Sequence, residues 1–83
     1  MSNQAELWKR VITTKRRVLH AMIEKPNLAF RSKRVFQNYT ALCGEAEFAY
    51  QDEQLDEELV HLLEEQAEKV IEAWREHITA PQK

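Results

Sequence analysis

The chain has 83 residues with one Gly, two Pro and one Cys. That makes one thin-cored domain, with too few turn formers for a β-rich fold and no internal disulfide. The net charge of −2 conceals a division. Residues 1–34 hold nine basic against two acidic side chains, and residues 35–83 hold three against twelve. Such asymmetry points to a charged partner, unless the two halves face each other and neutralise.

The first predicted helix runs over about residues 4–24. Asn3 stands three residues before Glu6, a capping-box spacing with Asn in the usual Ser/Thr place, and Ser2 is the rival cap. Leu7, Trp8, Val11, Ile12, Val18, Leu19, Met22 and Ile23 form the predicted buried face. Lys9, Arg10, Arg16, Arg17, His20 and Thr13 form the other. Lys15 falls inside the apolar sector. Its methylenes are expected to pack while the ammonium snorkels out or meets a Glu of the third helix.

Pro26-Asn27 is the clearest break. A second helix is predicted over about residues 27–51. Its stripe is Ala29, Ser32, Phe36, Tyr39, Cys43, Ala46 and Tyr50, flanked by Leu28, Val35, Leu42 and Ala49. The stripe passes through Gly44, where a helix loses only about 1 kcal/mol relative to Ala. The alternative ends the helix at Gly44 as a C-terminal cap and joins Glu45 onward to the third helix. Phe30 and Phe48 fall off the stripe and suggest a second buried surface, a dimer contact or a partner groove.

The third helix is predicted over about residues 53–78, with Asp52 as its cap. Leu55, Leu59, Leu62, Leu63, Ala67, Val70, Ala73, Trp74 and Ile78 share one broad apolar sector opposite a Glu-rich face. That sector is wide enough for two partner helices. Residues 79–83 read as a frayed tail. The whole is an all-α, up-down-up, three-helix antiparallel bundle in a single domain spanning 1–83, expected to self-associate as a homodimer because so small a core gains from association.

No chemistry-bearing motif stands out. There is no phosphate loop, no paired-Cys zinc spacing and no nucleophile elbow. Glu58 and His61 have the Glu-x-x-His spacing of carboxylate-bridged metal helices, but the set is incomplete and faces outward. Cys43 reads as a structural thiol and His77 as a packed residue near a helix end. No catalytic residue, cofactor or metal is expected. An enzyme would need an inward polar cluster, for which only Lys15, Gln66 and His77 are candidates.

The charged faces remain. Lys9, Arg10, Arg16, Arg17, Arg31, Lys33 and Arg34 form a candidate basic surface. Arg31, Lys33 and Arg34 open the second helix, where cations oppose the macrodipole. Glu57, Glu64, Glu65, Glu68 and Glu72 form a candidate acidic surface. The expected function is a non-enzymatic, regulatory protein–protein interaction through these faces. The alternative is a nucleic-acid-binding accessory protein using the basic half, against which stand the twelve downstream acids unless they are turned away. No apolar run approaches the roughly 20 residues of a membrane span. The opening MSNQAELWKR lacks a signal peptide's basic start and apolar block, so the expected location is the cytoplasm.

Overall fold

A computed structural model describes residues 3–23 and 28–79. The expected break at Pro26-Asn27, the tail beyond Thr79 and the side chains of Leu28, Ala29 and Ile78 lie outside what it describes. Three helices, α1 (Gln4–Ile23), α2 (Arg34–Gln51) and α3 (Glu57–Thr79), pack as an up-down-up bundle, with a 3₁₀ segment at Leu28–Ser32 before α2. The molecule is a rod, 52 × 18 × 16 Å. α3 packs along both other helices, while α1 and α2 touch each other much less. This is the two-partner role that the width of the α3 stripe demands.

The helix boundaries follow from local chemistry. At the start of α1 the Asn3 Oδ1 accepts the Glu6 N–H at 3.2 Å, so the capping interaction forms with Asn. The helix continues through Gly44 without interruption. α2, however, begins at Arg34 rather than near 27. Lys33 is extended (φ −69°, ψ 140°) and the preceding residues wind as 3₁₀, at three residues per turn. The tighter winding turns Phe30, which lies off the stripe at 3.6 residues per turn, into the core. It is fully buried, edge-on to Trp74 at 5.2 Å and to Phe36 at 5.9 Å. Burying a Phe gains about 1.5–3 kcal/mol, which outweighs the few tenths per residue that α-helix propensity would contribute there. Phe30 therefore belongs to this core and not to a second surface.

α2 closes with a Schellman motif. The Gln54 N–H donates to Ala49 O at 2.7 Å and the Glu53 N–H to Tyr50 O at 3.0 Å, with Glu53 at φ 57°. Asp52 is thus the C-cap of α2, not the N-cap of α3. That role falls to Asp56, whose Oδ1 accepts the Leu59 N–H at 2.8 Å, so α3 starts at 57. The Gln4 side chain clasps this turn: its Nε2 donates to Leu55 O at 2.7 Å and its Oε1 accepts the Leu55 N–H at 2.9 Å.

The core has two centres. One gathers Val18, Phe30, Tyr39, Ala67, Val70, Ile71 and Trp74, and the other Leu7, Val11, Ala46, Leu55, Val60 and Leu63. Val60, Ile71 and Thr14 are buried although the helix stripes omit them. Leu19, Ile23 and Leu62 lie on predicted buried faces yet are 63 %, 61 % and 47 % exposed. The reason is shared. Each apolar sector is wider than its two neighbours can cover, and the sparse α1–α2 contact leaves one edge open. Thr14 tolerates burial because its Oγ1 donates to Arg10 O at 2.8 Å.

Candidate interaction surfaces

The charged side chains are sorted by where the helices place them. On α1, Arg10 and Arg17 lie on the flank that meets α3. On α3, Glu57, Glu64 and Glu68 lie at spacings of seven and four, on the flank that meets α1. Arg10 bridges two of them. Its Nε and Nη2 engage Glu64 at 3.2 and 2.7 Å, and its Nη1 reaches Glu57 at 2.7 Å. Arg17 pairs with Glu68. Hydrogen bonding from Arg10 holds the Glu64 carboxyl below the usual carboxylate range, and the Glu64 and Glu57 carboxylates raise the Arg10 guanidinium in turn. All of these groups are partly solvated, so each pair contributes at most about 1 kcal/mol. Five predicted surface residues are therefore spent on one another: Arg10, Arg17, Glu57, Glu64 and Glu68. Glu65 pairs with His61 on the exposed face of α3 at 2.9 Å.

Lys9, Arg16, Arg31, Lys33 and Arg34 are exposed and make no ion pair within the described residues. Glu72 is likewise exposed and unpaired. Their positions follow the fold. The half of the rod around Phe30 and Trp74 carries Lys15, Arg16, Arg17, Arg31, Lys33, Arg34, Lys69 and Arg75 against Glu68, Glu72 and Glu76. The half around Leu55 carries Lys9 and Arg10 against Glu6, Glu45, Glu47, Asp52, Glu53, Asp56, Glu57, Glu58, Glu64 and Glu65. The division between the two stretches of sequence has become a division between the two ends of a 52 Å rod. That length is several times the roughly 8 Å Debye length at physiological salt, so one end does not neutralise the other.

The interior polar groups are placed differently. Tyr39 is buried, and burial, with a hydrogen bond to Cys43, pushes its phenol up. Burial also pushes the Cys43 thiol up, partly opposed by the Tyr39 hydrogen bond and by the Lys15 ammonium across the α1–α2 seam. Lys15 is half-buried, close enough for its charge to act on Cys43, and it pairs with no Glu of α3 among the described residues. Gln66 Nε2 donates to Val35 O at 3.3 Å and so ties α3 to α2. His77 is half-buried against Phe30 and Trp74, at 5.7 and 5.9 Å. The three inward polar candidates, Lys15, Gln66 and His77, thus lie against different partners and form no common cluster. No group of three or more His, Cys, Asp or Glu among the described residues is arranged to hold a metal ion, and no described helix is long and apolar enough to cross a membrane.

No protein-family model matches the chain, and comparisons with curated proteins and with solved structures found no match.

Proposed function

We propose that this chain is a small, non-enzymatic interaction protein that regulates an acidic protein partner through its basic end and that also associates with itself. The observation that carries the reading is the set of exposed cations Arg16, Arg31, Lys33 and Arg34 at one end of the rod, unpaired among the described residues, with Lys9 further along the same α1 face. Three of them crowd the start of α2, where they oppose the helix dipole. A cluster of cations that costs helix stability and makes no ion pair among the described residues suits an anionic partner. The proposed setting is the cytoplasm, where the lone, half-buried Cys43 stays a thiol.

A second reading, binding of nucleic acid, gains from one observation. Ten of the thirteen described acids lie in the opposite half of the rod, which removes much of the repulsion that the acidic composition implies. The experiment is a titration of the full chain with poly-glutamate, duplex DNA and single-stranded RNA across a salt series. It is compared with the triple variant Arg16→Glu, Arg31→Glu, Lys33→Glu. Binding of the acidic polypeptide that weakens about tenfold or more in the variant supports the first reading. Tighter binding to DNA or RNA with a steep salt slope supports the second. Equal binding by both proteins removes the basic end from either role.

A further inference from the structure

The outer face of α2 is unlike those of α1 and α3. Residues 35–44, VFQNYTALCG, carry no charge, although the helix lies at the surface. Its inner stripe, centred on Tyr39 and Ala46, is buried. On the back lies a second stripe with 4-3-4-3-4 spacing: Arg34, Asn38, Ala41, Glu45, Phe48 and Asp52. All six are exposed, and Phe48, at 72 %, is the most exposed large apolar side chain described. Every helix face repeats at this spacing; what marks this one is that Ala41 and Phe48 lie exposed between a cation, Arg34, and an anion, Asp52, at its two ends. Nothing lies within 4 Å of where a Gly44 Cβ would stand, so a second backbone can come close beside the stripe.

We propose that this stripe is the contact between two copies of the chain, with α2 packed antiparallel to the α2 of the second copy about a two-fold axis near position 43. The inference deepens the self-association proposed above by naming its surface and its direction. Three observations commit it to this occupant. The first is symmetry: antiparallel pairing about position 43 sets Arg34 against Asp52 of the second copy, Asn38 against Phe48 and Ala41 against Glu45. Each contact then occurs twice, as a two-fold interface requires. The second is charge. A cation at the first residue of α2 and an anion at its C-cap each oppose the dipole of their own helix. Against an antiparallel copy, Arg34 meets the negative C-terminal end and Asp52 the positive N-terminal end, so both penalties become attractions. At larger scale the basic half of each rod lies beside the acidic half of the other. The third is area. A stretch of the rod's side as long as α2, about 27 Å for its 18 residues and 18 Å wide, presents roughly 490 Å² in projection and an end, 18 × 16 Å, roughly 300 Å², where a stable interface needs about 800 Å² per partner, the rest coming from the flanking α3 surface. The charged ends therefore meet side by side rather than end to end. Leu62, on the α3 flank that also bears Gln66 and its bond to Val35 of α2, extends the apolar surface.

The test is sedimentation equilibrium of the full chain over a concentration series, for the wild type, Phe48→Glu, Arg34→Glu, Asp52→Lys and the double swap Arg34→Glu/Asp52→Lys. The wild type is expected to be a dimer. Each single variant should weaken the dimer about tenfold or more, and the double swap should restore it, because opposite charges then face each other again with their signs exchanged. Thermal melts accompany each variant. Arg34→Glu and Asp52→Lys relieve a dipole penalty within the chain, so a lost dimer is expected alongside an intact, fully helical fold. A wild type that stays monomeric throughout, singles that dimerise like the wild type, or a double swap no better than the singles would each overturn the proposal. No other molecule enters this assay, and Arg16, Arg31 and Lys33 are untouched. A monomer that still binds poly-glutamate sinks the dimer alone, and a dimer that binds no acidic partner sinks the basic-end reading alone.

Discussion

Replacing Glu53 by Gly should stabilise the protein. Glu53 sits at φ 57°, a conformation in which a side chain's Cβ crowds the following carbonyl at a cost of roughly 1–2 kcal/mol. It persists there because the two hydrogen bonds of the Schellman turn, Gln54 to Ala49 and Glu53 to Tyr50, need that residue left-handed. Glycine removes the crowding and keeps both bonds, but it also gives the unfolded chain more freedom, which returns about 0.5–1 kcal/mol. The net gain is about 0.5–1 kcal/mol. For a domain of this size that raises the melting temperature by roughly 2–8 °C. Thermal and urea unfolding followed by circular dichroism would show it, with the urea midpoint moving up and the m-value unchanged. Glu53→Val, branched at Cβ, should move the midpoint the other way. A glycine variant that melts at or below the wild type would mean that position 53 is not left-handed in solution, and the assigned end of α2 would fall with it.

Arg10→Met should cost about 1 kcal/mol, because four partly solvated hydrogen bonds to Glu57 and Glu64 go while the methylene packing remains. It should also change the acid limb. The Glu64 carboxyl is held below its ordinary range in the fold, so its contribution is present at neutral pH and is lost as pH falls through the folded value. The wild type should lose more stability than Arg10→Met between neutral and strongly acid pH, and parallel acid limbs would count against the bridge. Phe30→Ala should cost about 3–5 kcal/mol; near-wild-type urea unfolding would remove Phe30 from the core. In the Phe48→Glu background, which removes the proposed dimer contact, Gly44→Ala should stabilise by about 0.5–1 kcal/mol, since the helix is continuous there and the added methyl meets nothing in its own chain. A lower melting temperature would show that the space is occupied.

The three helices and their up-down-up order were legible from periodicity because each apolar stripe is long and nearly uninterrupted. The continuity of α2 through Gly44 was legible too, since a single glycine costs less than the packing of a whole helix returns. The start of α2 was not. Wheel positions assume 3.6 residues per turn, and residues 28–32 wind at three because Phe30 gains more from the core than those residues gain from α-helix. Asp52 and Asp56 are equally good caps by type, and only the left-handed Glu53 between them decides which helix each serves. Among the surface residues, sequence position could not separate Arg10 and Arg17 from Arg16. One step of 100° around α1 decides whether a guanidinium meets α3 or water.

The separation of charge along the rod is a consequence of topology acting on charge order. The up-down order sets the second half of α1, with Lys15, Arg16 and Arg17, at the same end of the rod as the start of α2, with Arg31, Lys33 and Arg34, and both are basic. The turn between α2 and α3 brings the end of α2 beside the start of α3, and both are acidic. Each end therefore collects an excess of one sign, while Arg10 and Arg17 of α1 reach across to glutamates of α3. Like charges gathered at an end repel, which lowers the stability of the isolated chain. The same crowding is relieved by whatever neutralises it, and binding free energy adds to folding free energy wherever a partner prefers the folded state. An antiparallel copy supplies that neutralisation at both ends at once, because it presents acid to base and base to acid. An acidic partner at the basic end supplies half of it. The two associations compete for Arg34 but not for Arg16, Arg31 or Lys33, so a dimer leaves most of the basic end open to a further ligand.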